Sequence, residues 1–226
     1  MMLHEKALRT GRWFARRRRY IPWVYALLTI VALLLATPFA LWRSSVWLTI
    51  PSLLLAVGGF ALRFAARRRT GCDPASLIAA RGIYSVLRFP RELGNYLIIC
   101  GLTLYTGLTW YIFFIPIAGI MIMHRIALAD ENSRAVKFGE IYLQWCRTTN
   151  AFSPVFTSWE KSTCPLPLRR TLLAESQMIF LTIAGFTAIN GLKYLMIHFS
   201  LHFDLLWLVL FVMALVLALL GHLLRK

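Results

Sequence analysis

Apolar residues fall in six long runs along this chain, and polar residues gather between them in clusters of unequal charge. The runs are Ile21–Trp42, Val46–Phe64, Leu93–Trp110, Tyr111–Ala129, Met178–Phe199 and Leu205–Leu224. Each approaches the roughly 20 residues that a helix needs to cross about 30 Å of hydrocarbon. The pattern predicts an all-α, polytopic membrane bundle of about six transmembrane helices. The third and fourth runs are nearly continuous, which predicts a tight helical hairpin near Gly107–Tyr111. Pro38, Pro51 and Pro116 fall inside runs, where neighbouring groups must satisfy the freed carbonyls. The first run is longer than the roughly 7–15 residues of a signal-peptide apolar region, so it reads as a retained span.

Cations separate the connections into two classes. Seven precede the first run: Lys6, Arg9, Arg12 and Arg16 to Arg19. One, Arg43, follows it. Seven surround the next connection: Arg63, Arg67, Arg68, Arg69, Arg81, Arg88 and Arg91. The hairpin holds none, and six follow the fourth run: Arg134, Lys137, Arg147, Lys161, Arg169 and Arg170. The last connection has none, and Arg225 and Lys226 close the chain. Apart from Arg63, at the very end of the second run, only Arg125 and Lys193 lie within runs. Because positive charge accumulates on the cytoplasmic side, this alternation predicts both termini in the cytoplasm. Trp13, Trp23, Trp42, Trp47 and Trp110 fall near the expected interfaces, as aromatic belts do. Three stretches result: a basic segment with two spans over 1–80, a polar-flanked hairpin over 81–154, and a connection with two further spans over 155–226.

Composition agrees. Of 226 residues, 59% are hydrophobic and 15% charged, with mean hydropathy +0.65; a soluble domain is nearer half and a quarter. The net charge of +16 would raise nucleic acid as a partner for a soluble protein. Here the apolar runs exclude that class, and the cations read as topology signals and contacts to anionic headgroups. Cys72, Cys100, Cys146 and Cys164 have no metal or haem spacing and need no disulfide. An integral membrane protein is expected.

Two polar clusters share the predicted cytoplasmic side. The first is Gly82, Tyr84, Arg88, Pro90, Arg91, Glu92, Gly94 and Asn95; the second runs from His124 to Trp145. His124 and Glu131 are seven apart, so a helix continued beyond the span puts them on one face. Arg125 is either a membrane-depth functional cation or a side chain that snorkels to headgroups. Asp130 and Glu131 are either site carboxylates or structural partners of Arg88 or Arg91.

The stretch "GIYSVLRFPRELGNYLIICGLTL", with "DENSRAVKFGEIYLQWCRTTNAFSP" after the hairpin, resembles the integral-membrane methyltransferases of the isoprenylcysteine carboxyl methyltransferase and phospholipid methyltransferase group. That group reads roughly G-P-Y-x-x-x-R-H-P-x-Y-x-G-N, a hairpin, then E-E, F-G-x-x-Y-x-x-Y and a closing Pro. Gly82, Tyr84, Arg88, Pro90, Gly94 and Asn95 match the first part. Glu131 matches the second acid, Asp130 replaces the first, and Phe138, Gly139, Tyr142, Trp145 and Pro154 keep the register. The resemblance covers about Arg81–Pro154, and the Arg-rich start and two added spans are more weakly similar to a bacterial branch that includes lipid A phosphate methyltransferases. Two positions depart: the group's His is Phe89 here, and its Tyr is Glu92.

The resemblance implies a bacterial inner membrane protein with S-adenosyl-L-methionine as cofactor on the cytoplasmic side, and a lipid or prenylated acceptor entering between spans. It implies cofactor contacts from Gly82, Tyr84, Arg88, Pro90, Glu92, Gly94, Asn95, Asp130, Glu131 and Tyr142, with Arg88 and Glu131 as the catalytic pair. The cofactor's carboxylate suits Arg88 and its ammonium suits Glu131. Methyl transfer to an oxyanion needs positioning and desolvation more than acid–base chemistry, so no triad or metal cluster is required. A carboxylate or phosphate acceptor suits the basic face; His124 is a base only for a neutral acceptor. Phe89 and Glu92 keep a second reading open, a catalytically degenerate relative that binds lipid or a partner. A transporter would need midplane charges or broken helices in repeated halves, and only Arg125, Lys193 and the three prolines point that way. A sterol reductase, with NADPH, shares a distantly related core, but this chain is short for it.

Overall fold

The computed structural model describes residues 2–36, 46–69, 82–154, 159–160, 167–198 and 204–224. Among these residues the structure is all-α; no strand occurs, and one isolated parallel β-bridge joins Leu87 to Asn150. In chain order the helices are α1 (Met2–Arg17), α2 (Ile21–Leu34), α3 (Val46–Arg69), α4 (Ile83–Val86), α5 (Pro90–Thr106), α6 (Thr109–Phe138), α7 (Glu140–Thr148), α8 (Leu168–His198) and α9 (Leu205–Leu223).

Four helices are long and apolar enough to cross a membrane: α3, α6, α8 and α9. Their outward faces carry large apolar side chains, among them Trp47, Leu54 and Val57 on α3 and Phe113, Phe114 and Met121 on α6. A soluble surface does not expose so continuous an apolar area; lipid covers it, and the chain is an integral membrane protein. Helices α2 and α5 are shorter, at 14 and 17 residues. The end of the first expected run, with Pro38 and Trp42, lies outside the described residues, as do Cys72 and Cys164.

Helices extend past their apolar runs, α6 and α8 most of all. The fourth run was expected to end at Ala129, but α6 continues to Phe138 and so carries Asp130, Glu131 and Arg134 on an unbroken helix. Similarly α8 begins at Leu168, ahead of Met178, and buries Glu175 in its first turns. Hydropathy marks where lipid ends, whereas backbone hydrogen bonding carries a helix on into the polar layer. The hairpin break falls between Thr106 and Thr109, where Gly107 takes φ 75°. Pro51 and Pro116 both sit inside helices.

The chain clusters into two compact units. One comprises Met1–Pro22, Gly59–Tyr96 and Ile117–Pro167; the other comprises Trp23–Gly58, Leu97–Pro116 and Leu168–Lys226.

In the second unit, hydroxyls join helices from within. Thr29 Oγ1 donates to Tyr25 O at 2.8 Å, so Tyr111 Oη donates to Thr29 at 2.7 Å. Thr103 Oγ1 likewise donates to Ile99 O, leaving Tyr25 Oη to donate to Thr103 at 3.1 Å. Hydrogen bonds of this kind hold membrane helices where the lipid supplies no hydrophobic driving force. Tyr105, Phe186 and Trp207 pack together, Phe186 stacking on Trp207 at 5.6 Å. Lys193 Nζ donates to Tyr105 O at 3.1 Å, at the C-terminal end of α5, where helix carbonyls lack helical partners. That contact gives this intramembrane cation a structural role.

In the first unit, small residues let helices touch. Ala7 and Gly11 of α1 are buried, and a Cβ on Gly11 would collide with Arg125 O and lie 3.1 Å from Ala129 Cβ on α6. The basic N-terminal stretch is therefore a packed amphipathic helix as well as a charge anchor.

Candidate functional site

The first polar cluster begins at a turn that only glycine makes easily. Gly82 has φ 65° and ψ −138°, and it precedes the single-turn helix α4. Its N–H donates to Glu160 O at 2.8 Å, and Glu160 N–H donates to Ser85 Oγ at 3.0 Å. Ser85 Oγ in turn donates to Gly82 O at 2.8 Å. These bonds tie the entry turn to the segment after the second cluster.

Leu87 is extended, at φ −146° and ψ 129°, and the chain bends at Arg88 before Phe89 leads into Pro90. Arg88 N–H donates to Asn150 O at 2.9 Å, and Phe89 N–H to Ala151 O at 3.3 Å. The first cluster thus bonds along its backbone to the segment that follows the second. Pro90 opens α5 at a position where the missing N–H costs nothing, and it is fully buried.

The side chains meet as well. Arg88 Nη1 donates to Glu131 Oε1 at 2.5 Å, a charge-assisted contact between the extended segment and α6. Both side chains are mostly buried, at 15% and 25% exposure. Three residues on, Arg134 places its guanidinium 5.5 Å from the centre of the Phe89 ring. Phe89 itself is 1% exposed and packs on Phe152 at 5.9 Å. The position where the methyltransferase group has histidine is therefore an apolar wall beneath a cation.

Helix α7 supplies the next wall. Tyr142 is 2% exposed, and its ring lies 5.6 Å from that of Trp145. Tyr142 Oη, Trp145 Nε1 and Arg88 Nε are all buried with no hydrogen-bond partner. Burial pushes the Tyr142 phenol well above its ordinary value, with the Cys146 side chain and the Glu131 carboxylate adding to the rise and Arg134 opposing it. Cys146, one turn on, is near enough for that influence, but Oη makes no well-formed hydrogen bond to it. Burial also raises the Tyr84 phenol; Glu92 raises it further, against Arg134, Arg91 and Arg67. Arg134 is thus a common neighbour of Phe89, Tyr84 and Tyr142.

Of the ten expected cofactor residues, Tyr84, Arg88, Glu92, Glu131 and Tyr142 share this electrostatic neighbourhood, and Asp130 is half-buried beside Glu131. Gly94 and Asn95 face elsewhere. A Cβ on Gly94 would fall 2.6 Å from Gly59 O, so this glycine serves the contact between α5 and α3. Asn95 Oδ1 accepts a hydrogen bond from Arg63 of α3, which is 3% exposed. Gly82 and Pro90 shape the backbone. His124 is exposed, while Glu131 on the same helix is half-buried.

Sequence reasoning did not single out Arg134 and Trp145 as site residues. Arg134 sits at three-residue spacing from Glu131 on a continuous helix, which was the available signal. Trp145 appeared only as a register match, and nothing in a sequence marks an indole N–H as unpaired. Among the described residues, no group of His, Cys, Asp and Glu has the arrangement to hold a metal ion. No protein-family model, curated protein or solved structure matches this chain.

Proposed function

We propose that the protein is an integral-membrane methyltransferase that uses S-adenosyl-L-methionine and acts on a lipid or prenylated acceptor. The observation that carries this reading is the Arg88–Glu131 junction. It joins two sequence clusters that resemble the two halves of the membrane methyltransferase pattern.

The residue set fits the cofactor's charges. Arg88 keeps an unpaired Nε–H suited to a carboxylate, and Glu131 is the acid suited to an ammonium. The Tyr84 and Tyr142 rings offer aromatic surface to a sulfonium or adenine. When bound, the cofactor supplies an electrophilic methyl group. The chain's own part is to orient, to exclude water and to keep Arg88 and Glu131 paired until ligand separates them. In this reading the chain has six spans, with α2 and α5 completing the set, both termini in the cytoplasm and the site on the cytoplasmic side of a bacterial inner membrane. The alternation of cations supports that orientation.

A second reading, a degenerate relative that binds lipid or a partner without transferring methyl, draws on Phe89. Its ring is buried against Phe152, where the pattern has a hydrogen-bonding imidazole.

The deciding assay is methyl transfer from labelled S-adenosylmethionine into a total lipid extract by the purified protein. Label should enter the organic phase with wild type and fall at least about tenfold with Glu131→Ala, the loss expected for removing one charged contact. Equal labelling by wild type and by the folded variant would remove Glu131 from the site. No labelling beyond a protein-free control would favour the degenerate relative.

A further inference from the structure

Three side-chain polar atoms are buried without a partner among the described residues: Arg88 Nε, Tyr142 Oη and Trp145 Nε1. All three carry a hydrogen. Leaving such a group dry and unpaired costs about 1–3 kcal/mol, so folded proteins keep few without a use.

Shared contacts link the three residues that carry these donors. Arg88 N–H is bonded to Asn150 O, just past the C-terminal end of α7. At that end Thr149 closes the helix, with its N–H and Oγ1 both donating to Trp145 O at 3.2 and 2.8 Å. Tyr142 lies one turn back, its ring beside that of Trp145. Glu131, which holds Arg88, also acts on the Tyr142 phenol.

The guanidinium has two edges. Arg88 commits Nη1 to Glu131 and leaves Nε–H unbonded; the Nε edge of a guanidinium is of the kind that binds a carboxylate or phosphate. Tyr142 keeps its proton because burial disfavours the phenolate, so its hydroxyl is able to donate. Indole nitrogen can only donate. A neutral ligand offering both donors and acceptors would leave such a set mismatched; an oxyanion satisfies it. Arg134 adds a second cation nearby and counters the charge of Glu131.

We propose that Arg88 Nε, Tyr142 Oη and Trp145 Nε1 form an oxyanion-binding site for the carboxylate or phosphate of a ligand. The ligand's identity rests on the methyl-transfer reading: the anion belongs either to the acceptor or to the cofactor's carboxylate.

The test uses the full chain in detergent, with inorganic phosphate as probe, beside Tyr142→Phe and Trp145→Phe. Both substitutions keep an aromatic ring and remove a donor. Calorimetry should show phosphate binding to wild type and a loss of about tenfold in each variant. Without phosphate, both variants should melt at or above the wild-type temperature, because each loses a buried unpaired group. S-adenosylmethionine then separates the two sources. If phosphate competes with it, the site holds the cofactor's carboxylate; if the two bind together, the site holds the acceptor's anion. Absent phosphate binding, together with no effect of either substitution on S-adenosylmethionine binding, overturns the proposal. So does a melting temperature lowered in both variants, which would make the donors structural. Phosphate binding without any S-adenosylmethionine binding keeps this site and removes methyl transfer.

Discussion

At Arg88 the backbone is set before the side chain acts. Asn150 O fixes its N–H, and the guanidinium then reaches Glu131 on α6. The sequence offered Arg88, Asp130 and Glu131 as either site groups or structural partners, and the structure makes one pair, Arg88 with Glu131. What was legible was residue type and spacing. Which edge of the guanidinium stays open was not, because that depends on side-chain placement. Tyr142 gives a pH prediction. Its folded phenol holds its proton more tightly than the unfolded chain, whose tyrosines titrate near pH 10. The folded state then binds more protons above about pH 10, so stability is full below that pH and falls as pH rises. Thermal melting scanned from pH 8 to 11 should show a decline at the alkaline end that is shallower in Tyr142→Phe. Identical pH profiles would show that Tyr142 does not carry the effect.

Among the elements, close approach is bought by glycine, and three contacts rely on it. Gly94 meets Gly59 O, Gly101 meets Ser52 O with a Cβ distance of 2.6 Å, and Gly11 meets Arg125 O. In each the neighbour is backbone, which cannot rotate away as a side chain can. Replacing Gly94 or Gly101 by Val should therefore cost about 1–3 kcal/mol through overpacking, seen as a lower melting temperature in detergent. Gly58→Val serves as the control, since nothing lies within 4 Å of its added Cβ. An equal loss at Gly58 would mean that helix propensity, and not contact, sets the cost. The sequence made the helices legible through apolar runs and the hairpin through near-continuity at Gly107. It could not show that α1 packs, because its cations dominated the reading while Ala7 and Gly11 carry the contact. Nor did hydropathy find the polar extension of α6, and that extension is what carries Glu131 and Arg134 to the site.

For the whole molecule, composition and periodicity identify a helical membrane protein, and the structure gives four helices of spanning length. Orientation rests on the cations. A fluorescent protein fused to the C-terminus should fluoresce in bacteria if that end faces the cytoplasm, whereas an alkaline phosphatase fusion should stay inactive; the opposite pair of results would invert the topology. The charge of +16 also suits a chain that draws anionic amphiphiles to its polar layer. Function was legible only as paired motifs. Phe89 and Glu92 depart from those motifs, and in the structure Phe89 contributes a buried wall with Arg134 above it, where an imidazole would have contributed a hydrogen bond.

Calorimetric titration of purified protein with S-adenosylmethionine, beside Glu131→Ala, tests the central claim most directly. Saturable binding to wild type that weakens at least about tenfold in the variant, with the variant's melting curve still cooperative, is the predicted result. Heats that match buffer at millimolar cofactor, or equal affinity in the two proteins, would contradict it.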